Sequence, residues 1–170
     1  MKYSKFKEYV INHMNDVVYH MPEKPEAGQW QGKGEPKAYI LGKPSSQKER
    51  AEMINKYALL KSVKHIDHKK IHLHQYAHHM NSSQIICYNF FRPLMEDADG
   101  EMHAKESLVK LIGHVIGEEL EHQGGTCNFE YIDHSKEKTN FDFYFKNGSV
   151  EVLFEVKYTE QPVGGIRFLN

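Results

Sequence analysis

The chain has 170 residues, of which 39% are hydrophobic and 26% charged, and its formal net charge is −1. This size is typical of one soluble globular domain, and the near-neutral charge argues against a protein that binds nucleic acid over its whole surface. The sequence contains no run of about 18 apolar residues, so a membrane-spanning helix is not expected. The N-terminus is amphipathic and does not resemble a secretory signal. The two cysteines belong to no motif, which favours a reducing, cytoplasmic location.

The first third of the chain predicts two helices separated by an extended arm. Apolar residues recur every three or four positions over residues 4–18, which predicts an amphipathic helix. Residues 21–44 are rich in Pro and Gly, so we expect a loop or arm with a short strand at "AYIL". The next stretch, "SSQKERAEMINKYALLKSV", predicts a helix that begins with a capping box between Ser46 and Glu49.

Charge is distributed unevenly along the chain. Residues 33–70 contain ten Lys/Arg and four Asp/Glu, a balance of +6, whereas residues 71–170 contain eight and fifteen, a balance of −7. A basic segment of this kind is suited to a polyanion, although a solvated basic helix surface explains it equally well.

The middle of the chain combines histidines with two further predicted helices. Residues 65–79 contain six of the twelve histidines. A short helix is expected from Asn81 or Ser82 to near Pro93, followed by a turn at "EDADGE". The longest helix is predicted over 102–122, with Glu119 at the centre of its apolar stripe, where a carboxylate needs a partner or must lie beyond the buried part of the helix.

Three consecutive strands are predicted at "TCNFEYID", "TNFDFYFK" and "SVEVLFEVKY". We therefore expect a single α/β domain of the α+β kind over 1–170, in which helices precede a three-stranded meander. Its parts are a helical and basic region (1–80), a core (81–160) and a short tail (161–170).

The last two strands form a hairpin in which Asn147-Gly148 predicts a type I′ turn, so that Lys146 pairs with Ser149. Alternation then gives one apolar face of Phe and Val side chains that must pack on helices. The other face carries Asp142, Glu155 and Lys157, with Asp142 opposite Leu153 and diagonal to Glu155.

Two carboxylates and a lysine on one face suit phosphoryl chemistry. Mg²⁺ typically takes one or two carboxylates together with waters and phosphate oxygens, and a nearby ammonium stabilises charge that develops at phosphorus. The alternative is a solvent-facing sheet side with a cross-strand salt bridge, since exposed strand faces are commonly charged.

These residues resemble a known superfamily. Asp142, followed by Glu155-Val156-Lys157 on the next strand of a hairpin, resembles the PD-(D/E)XK nucleases, which have the restriction-endonuclease-like fold. The strings "HHMNSSQIICYNFFRPL" (78–94) and "EKTNFDFYF…FEVKYTE" (137–160) are similar to a bacterial family described as restriction endonucleases.

The resemblance implies a DNA endonuclease that depends on Mg²⁺ or Mn²⁺, acting on DNA as a homodimer. It implies that Asp142 and Glu155 bind the metal, that Lys157 is the catalytic lysine and that Glu119 is a further acidic metal ligand, with Gln84 of "SSQ" as another candidate. The superfamily core continues with a helix and a strand. The thirteen residues after Lys157 leave no room for both, so we expect them to be missing and the third strand to have an exposed edge.

Two other readings remain open from the residues. His68 and His72, and His74 and His78, are four apart, a spacing that places zinc ligands on one helix face. The second is a DNA-binding or interaction module that keeps a nuclease fold without cleavage.

Overall fold

The computed structural model describes residues 3–30, 32–120, 125–133, 139–157 and 167–168. Contacts between α-carbons divide the chain into two compact units. The first unit contains Met1–Lys61, His65–Ile86 and Lys157–Val163, and the second contains Ser62–Lys64, Cys87–Val156 and Gly164–Asn170. Within the described residues, no helix is long and apolar enough to cross a membrane.

The first unit begins with helix α1 (Tyr3–Tyr19), as predicted, and buries Val10 and Val18. The predicted arm is instead a two-stranded antiparallel hairpin of β1 (Ala27–Trp30) and β2 (Lys33–Leu41). The "AYIL" end of β2 is its buried part, as its apolar side chains suggested.

A glycine allows the two strands of this hairpin to approach closely. A Cβ on Gly28 would lie 2.4 Å from the backbone oxygen of Gly42 and 2.6 Å from the Ile40 side chain. Position 28 therefore admits no larger residue without a shift of the backbone.

Helix α2 (Gln47–Tyr57) has the predicted N-cap but not the full capping box. The Ser46 hydroxyl accepts a hydrogen bond from the Glu49 N–H at 3.1 Å. The Glu49 carboxylate, however, accepts from the N–H and hydroxyl of Ser45, at 2.7 and 2.6 Å, rather than from the Ser46 backbone. The Ser-x-x-Glu pattern thus located the helix start correctly, with the return bond displaced by one residue.

The histidine-rich segment, residues 65–79, consists of turns and irregular chain rather than helix, with one isolated bridge between His79 and Ile40 of β2. The interpretation of its four-residue spacing as a helical zinc site is therefore wrong, because that spacing aligns two side chains only on a helix. Among the described residues, no group of three or more His, Cys, Asp or Glu side chains is arranged to hold a metal ion.

Helix α3 (Ser83–Phe91) follows the predicted start and is stopped by a 3₁₀ turn, Arg92–Leu94, which contains the expected proline. The second unit then forms an antiparallel sheet, in which strands adjacent in sequence are adjacent in space. Its described strands are β3 (Met95–Ala98), β4 (Glu101–Ala104), β5 (Thr126–Asp133), β6 (Thr139–Asn147), β7 (Val150–Phe154) and β8 (Arg167–Phe168).

The sheet confirms the three-stranded meander β5-β6-β7 and extends it on both sides. The "EDADGE" segment, expected to be only a turn, forms the β3-β4 hairpin. In the tail, β8 pairs with β7 through Val152 and Leu153, so the expectation of an unpaired third edge is wrong. Residues 158–166 lie outside the described residues, so the expectation that the further core helix is missing there stays a prediction. The described part of the chain is thus a mixed α/β protein of the α+β kind, with two sheets and four α-helices.

Helix α4 (Glu106–Ile116) is shorter than predicted at both ends. Its first predicted turn is strand β4, and Gly117 ends it in the left-handed conformation, with φ of 76°. The N–H groups of Gly117 and Glu118 both donate to the Gly113 carbonyl, at 2.9 and 3.0 Å, which closes the last turn.

The apolar face of the β6-β7 hairpin packs as predicted on a helix. Within the second unit, the Phe91 ring of α3 stacks on Phe143 with centroids 4.0 Å apart and lies 5.2 Å from Phe154. Phe129 of β5 joins the same cluster at 5.2 Å from Phe143. Aromatic rings at these separations combine large buried areas with favourable ring geometry, so this cluster fixes the sheet on α3.

Candidate functional site

The register of the β6-β7 hairpin differs from the prediction by two residues. Asn147 pairs with Val150 and Phe143 with Phe154, so the two-residue loop is Gly148-Ser149 rather than Asn147-Gly148. Gly148 has φ of 57°, and a glycine at the first loop position is typical of a type II′ turn. Because the shift is even, every side chain stays on its predicted face.

The corrected register changes the expected position of Asp142 relative to Glu155. Continuing the register of the Phe143–Phe154 pair by one residue places Asp142 level with Glu155 instead of diagonal to it, although β7 itself ends at Phe154. The Asp142 carboxylate also accepts a hydrogen bond from the Val156 N–H at 2.6 Å. This bond holds the half-buried aspartate against the segment that continues β7 and carries the exposed Glu155.

A third carboxylate flanks Asp142 on its other side, and the sequence analysis missed it. The pairs on either side of it, Phe129–Phe143 and Tyr131–Phe141, place Glu130 of β5 opposite Asp142. Glu130 has φ of 54°, an uncommon conformation for a residue with a side chain. Together, Glu130, Asp142 and Glu155 form a row across three neighbouring chain segments, which we call the carboxylate row.

The side chains of Glu130 and Asp142 share an environment. The Asn140 amide, two residues before Asp142 on the same strand, donates to the Glu130 carboxylate at 2.6 Å. Burial raises the pKa of the Cys87 thiol, and the negative charges of Asp142 and Glu130 raise it further. Like charges opposite each other are unfavourable in a sheet, so this row concentrates negative potential where a cation would be stabilised.

The rest of this sheet face is partly covered rather than open to solvent. Tyr144 and Leu153 are buried, and the Tyr131 ring stacks on Tyr144 at 4.1 Å. A cross-strand ion pair joins Lys146 and Glu151 at 2.8 Å on this face. That pair lies toward the turn and does not involve the carboxylate row.

The other predicted site residues, Lys157, Glu119 and Gln84, lie outside the carboxylate row. Lys157 is exposed and follows Glu155 by two residues. Glu119 is exposed in the segment after α4, so its assignment to the apolar face of a helix is wrong because the helix ends at Ile116. A cleft of about 290 Å³ beside α4 includes Glu119 and Glu118 in its lining.

Gln84 acts as a brace in the first unit. Its buried side chain accepts from the His74 N–H and donates to the His72 carbonyl, each at 2.9 Å. Gln47 makes the same pair of bonds with the intervening Leu73, donating at 2.8 Å and accepting at 3.0 Å. Two glutamines thereby satisfy backbone groups of residues 72–74, which lie outside the described strands, whereas His78 and Met80 farther along bond to β2.

Asp142 and Glu155 are oxygen ligands of the kind that a hard divalent cation takes, although the three residues of the carboxylate row do not form a three-ligand metal group in the described structure. Mg²⁺ commonly binds one or two carboxylates and keeps waters and phosphate oxygens as its other ligands, so Asp142 and Glu155 provide a sufficient protein contribution. The oxygen-only donor set and the negative potential around Asp142 fit Mg²⁺ or Mn²⁺ better than zinc, which prefers nitrogen and sulfur.

Comparison with known proteins assigns the class. Residues 16–168 match the model of a family described as "Restriction Endonuclease associating with ARP". Because the match covers most of the chain, the protein belongs to this restriction-endonuclease-like family. No curated protein and no solved structure matches the chain significantly.

Proposed function

We propose that the protein is a metal-dependent DNA endonuclease of the PD-(D/E)XK type. The observation that supports the proposal is the β6-β7 register, which when continued one residue beyond Phe154 brings Glu155 level with Asp142, with Lys157 two residues further, in a chain of a restriction-endonuclease-like family. The family description supports DNA as the substrate, and cleavage of both strands of a duplex would need two such sites, as in a homodimer.

In this proposal Asp142 and Glu155 hold Mg²⁺ or Mn²⁺. When bound, such an ion polarises a phosphate and lowers the pKa of its water. The Val156 N–H orients the Asp142 carboxylate, and Glu130 adds negative charge that strengthens cation binding without being a required ligand. The Lys157 ammonium orients the attacking water and stabilises negative charge that develops on the phosphate. Glu119 lies beyond the helix that was expected to position it, so its role as a metal ligand stays a prediction outside this proposal.

Plasmid nicking tests the proposal. Supercoiled DNA is incubated with the full chain in Mg²⁺ or in EDTA, and the wild type is compared with D142N, E155Q and K157A. We expect Mg²⁺-dependent nicking by the wild type and at least a roughly hundredfold loss in each variant, as for removal of a group that stabilises the transition state. E151Q is the matched control, because Glu151 lies on the same strand and face but outside the carboxylate row.

Thermal unfolding with and without Mg²⁺ provides a second readout that does not depend on cleavage. A cation that binds only the folded protein raises the melting temperature, and D142N should abolish that rise while E151Q keeps it. Nicking that E155Q and K157A leave unchanged would refute the site. DNA binding without nicking by any form would favour the binding-only module.

A further inference from the structure

The only tryptophan of the chain is part of an open aromatic stack in the first unit. The Trp30 ring stacks on Tyr76, with centroids 5.4 Å apart and an angle of 13°, and lies 5.2 Å from the His79 ring. Trp30 nevertheless keeps 50% of its surface exposed. Since Tyr76 covers one ring face, the open surface is available for a second planar group. We call Trp30 and Tyr76 the aromatic platform.

Neighbouring rings and hydrogen bonds support the Tyr76 side of the aromatic platform. The Tyr76 ring also lies 5.4 Å from the rings of His74 and His79. The backbone N–H of Tyr76 donates a hydrogen bond to His74 Nδ1 at 3.2 Å. Gln84 fixes the backbone at His74, as described above. A planar ligand would therefore meet an aromatic surface that is already ordered, so little conformational entropy is lost on binding.

Exposed lysines flank the platform on the same hairpin. Lys33 pairs directly with Trp30 in the β1-β2 register, and Lys37 pairs with Gly28. Neither lysine forms an ion pair with another residue among those the structure describes. Glu35 lies between them in sequence, yet the segment 33–70 as a whole carries the excess of ten basic over four acidic residues.

We propose that the aromatic platform binds an unpaired DNA base by stacking, while Lys33 and Lys37 contact the neighbouring phosphates. Aromatic side chains bordered by cations are the usual surface for single-stranded nucleic acid, because every base has a flat face and every link a negative charge. A base inside a duplex already has neighbours on both faces, so only a single-stranded or extruded base fits. The choice of DNA rests on the proposed nuclease function.

Trp30 makes the test direct, since its fluorescence reports only this site. The full chain is titrated with a thymidine decamer in EDTA, so that no cleavage occurs. We expect saturable quenching that weakens as salt is raised. With a fluorescein-labelled decamer followed by anisotropy, W30L should bind roughly tenfold or more weakly, W30F by a smaller factor, and K33Q should flatten the salt dependence.

A matched control separates stacking at the platform from general aromatic contact. Phe90 of α3 is also an exposed aromatic residue, at 56%, and F90L should bind the decamer as the wild type does. Equal affinity of W30L and wild type would overturn the proposal, as would equal quenching by a blunt DNA duplex. Stronger quenching by a uridine decamer of RNA would overturn the assignment to DNA.

The outcome is independent of the metal site. Quenching without any plasmid nicking would leave the platform intact and reject only the endonuclease. Nicking without quenching would reject only the platform.

Discussion

Gln84 offers the sharpest test of a structural role against a catalytic one. Its amide makes two hydrogen bonds to backbone groups of the histidine-rich segment, and the side chain is 7% exposed. Q84L removes both bonds and keeps most of the side-chain volume. With about 1 kcal/mol for each lost bond and some penalty for leaving partly buried groups unpaired, we expect a loss of about 2–3 kcal/mol of unfolding free energy.

For a protein of this length, that loss lowers the melting temperature by roughly 2–4 °C per kcal/mol, or about 5–10 °C in total. The assay is thermal unfolding by circular dichroism, with Q75L as control, because Gln75 is an exposed glutamine of the same segment. Plasmid nicking at 20 °C, where the variant remains folded, should be unchanged.

The isosteric variant Q84E adds a pH signature. Its carboxyl must be protonated to donate to the His72 carbonyl, so the folded-state pKa rises above the unfolded value. The destabilisation is then small at pH 5 and grows as pH rises toward 8. The structural role of Gln84 would be refuted if the melting temperature of Q84L lay within about 1 °C of that of the wild type. It would also be refuted if the destabilisation caused by Q84E did not change with pH.

Three further predictions follow from burial, packing and charge. Burial lowers the pKa of His78 and of His79 to about 4, below the ordinary 6.5, so the unfolded chain takes up protons first on acidification. Stability should be retained above pH 6.5 and lost as pH falls toward 4. Melting temperatures measured over this pH range test the prediction, and H78Q and H79Q should lose less stability on acidification than the wild type. A Cβ at Gly125 would lie 2.6 Å from the fully buried Phe145 ring, so G125A should cost about 1–3 kcal/mol in urea unfolding, and a neutral result would contradict the packing. E130Q removes a like charge, so it should stabilise the protein in EDTA and reduce the rise in melting temperature on adding Mg²⁺; equal Mg²⁺ shifts would contradict its role.

The hairpin shows which part of the site was predictable from sequence. Alternation of apolar and polar residues assigned each side chain to a face, and that assignment survives any even change in register. The register itself was not predictable, because Asn147-Gly148 and Gly148-Ser149 are both favourable two-residue loops. The structure selects the second loop, and buried Asn147 remains in the strand.

Helix α4 shows where a periodic pattern misleads. The helix was predicted through residue 122, whereas Gly117 closes it in the left-handed conformation and Glu119 lies beyond its end. At its other end, Met102 and His103 pair with β5, a tertiary contact that local spacing does not reveal. Helical propensity gives way here to sheet pairing.

Glu130 was missed for a different reason. Nothing in "TCNFEYID" signals a residue with positive φ, since such positions usually carry Gly or Asn. Glu130 lies beside Asp142 only because β5 pairs with β6, and this pairing brings together residues that are separated in sequence by the segment between the two strands. A site built from a local hairpin is thus partly readable from sequence, but a member supplied by the next strand requires the register of that strand.

The order of the sheet gives the carboxylate row its physical meaning. Asp142 lies on the middle strand, with Glu130 of β5 on one side and Glu155, just beyond the end of β7, on the other, and its carboxylate accepts a hydrogen bond from the Val156 N–H. A sheet can avoid such repulsion with a lysine opposite, as it does where Lys146 faces Glu151 nearer the turn. At Asp142 the flanking residues on both sides are acidic, an arrangement that a divalent cation of the proposed kind would stabilise.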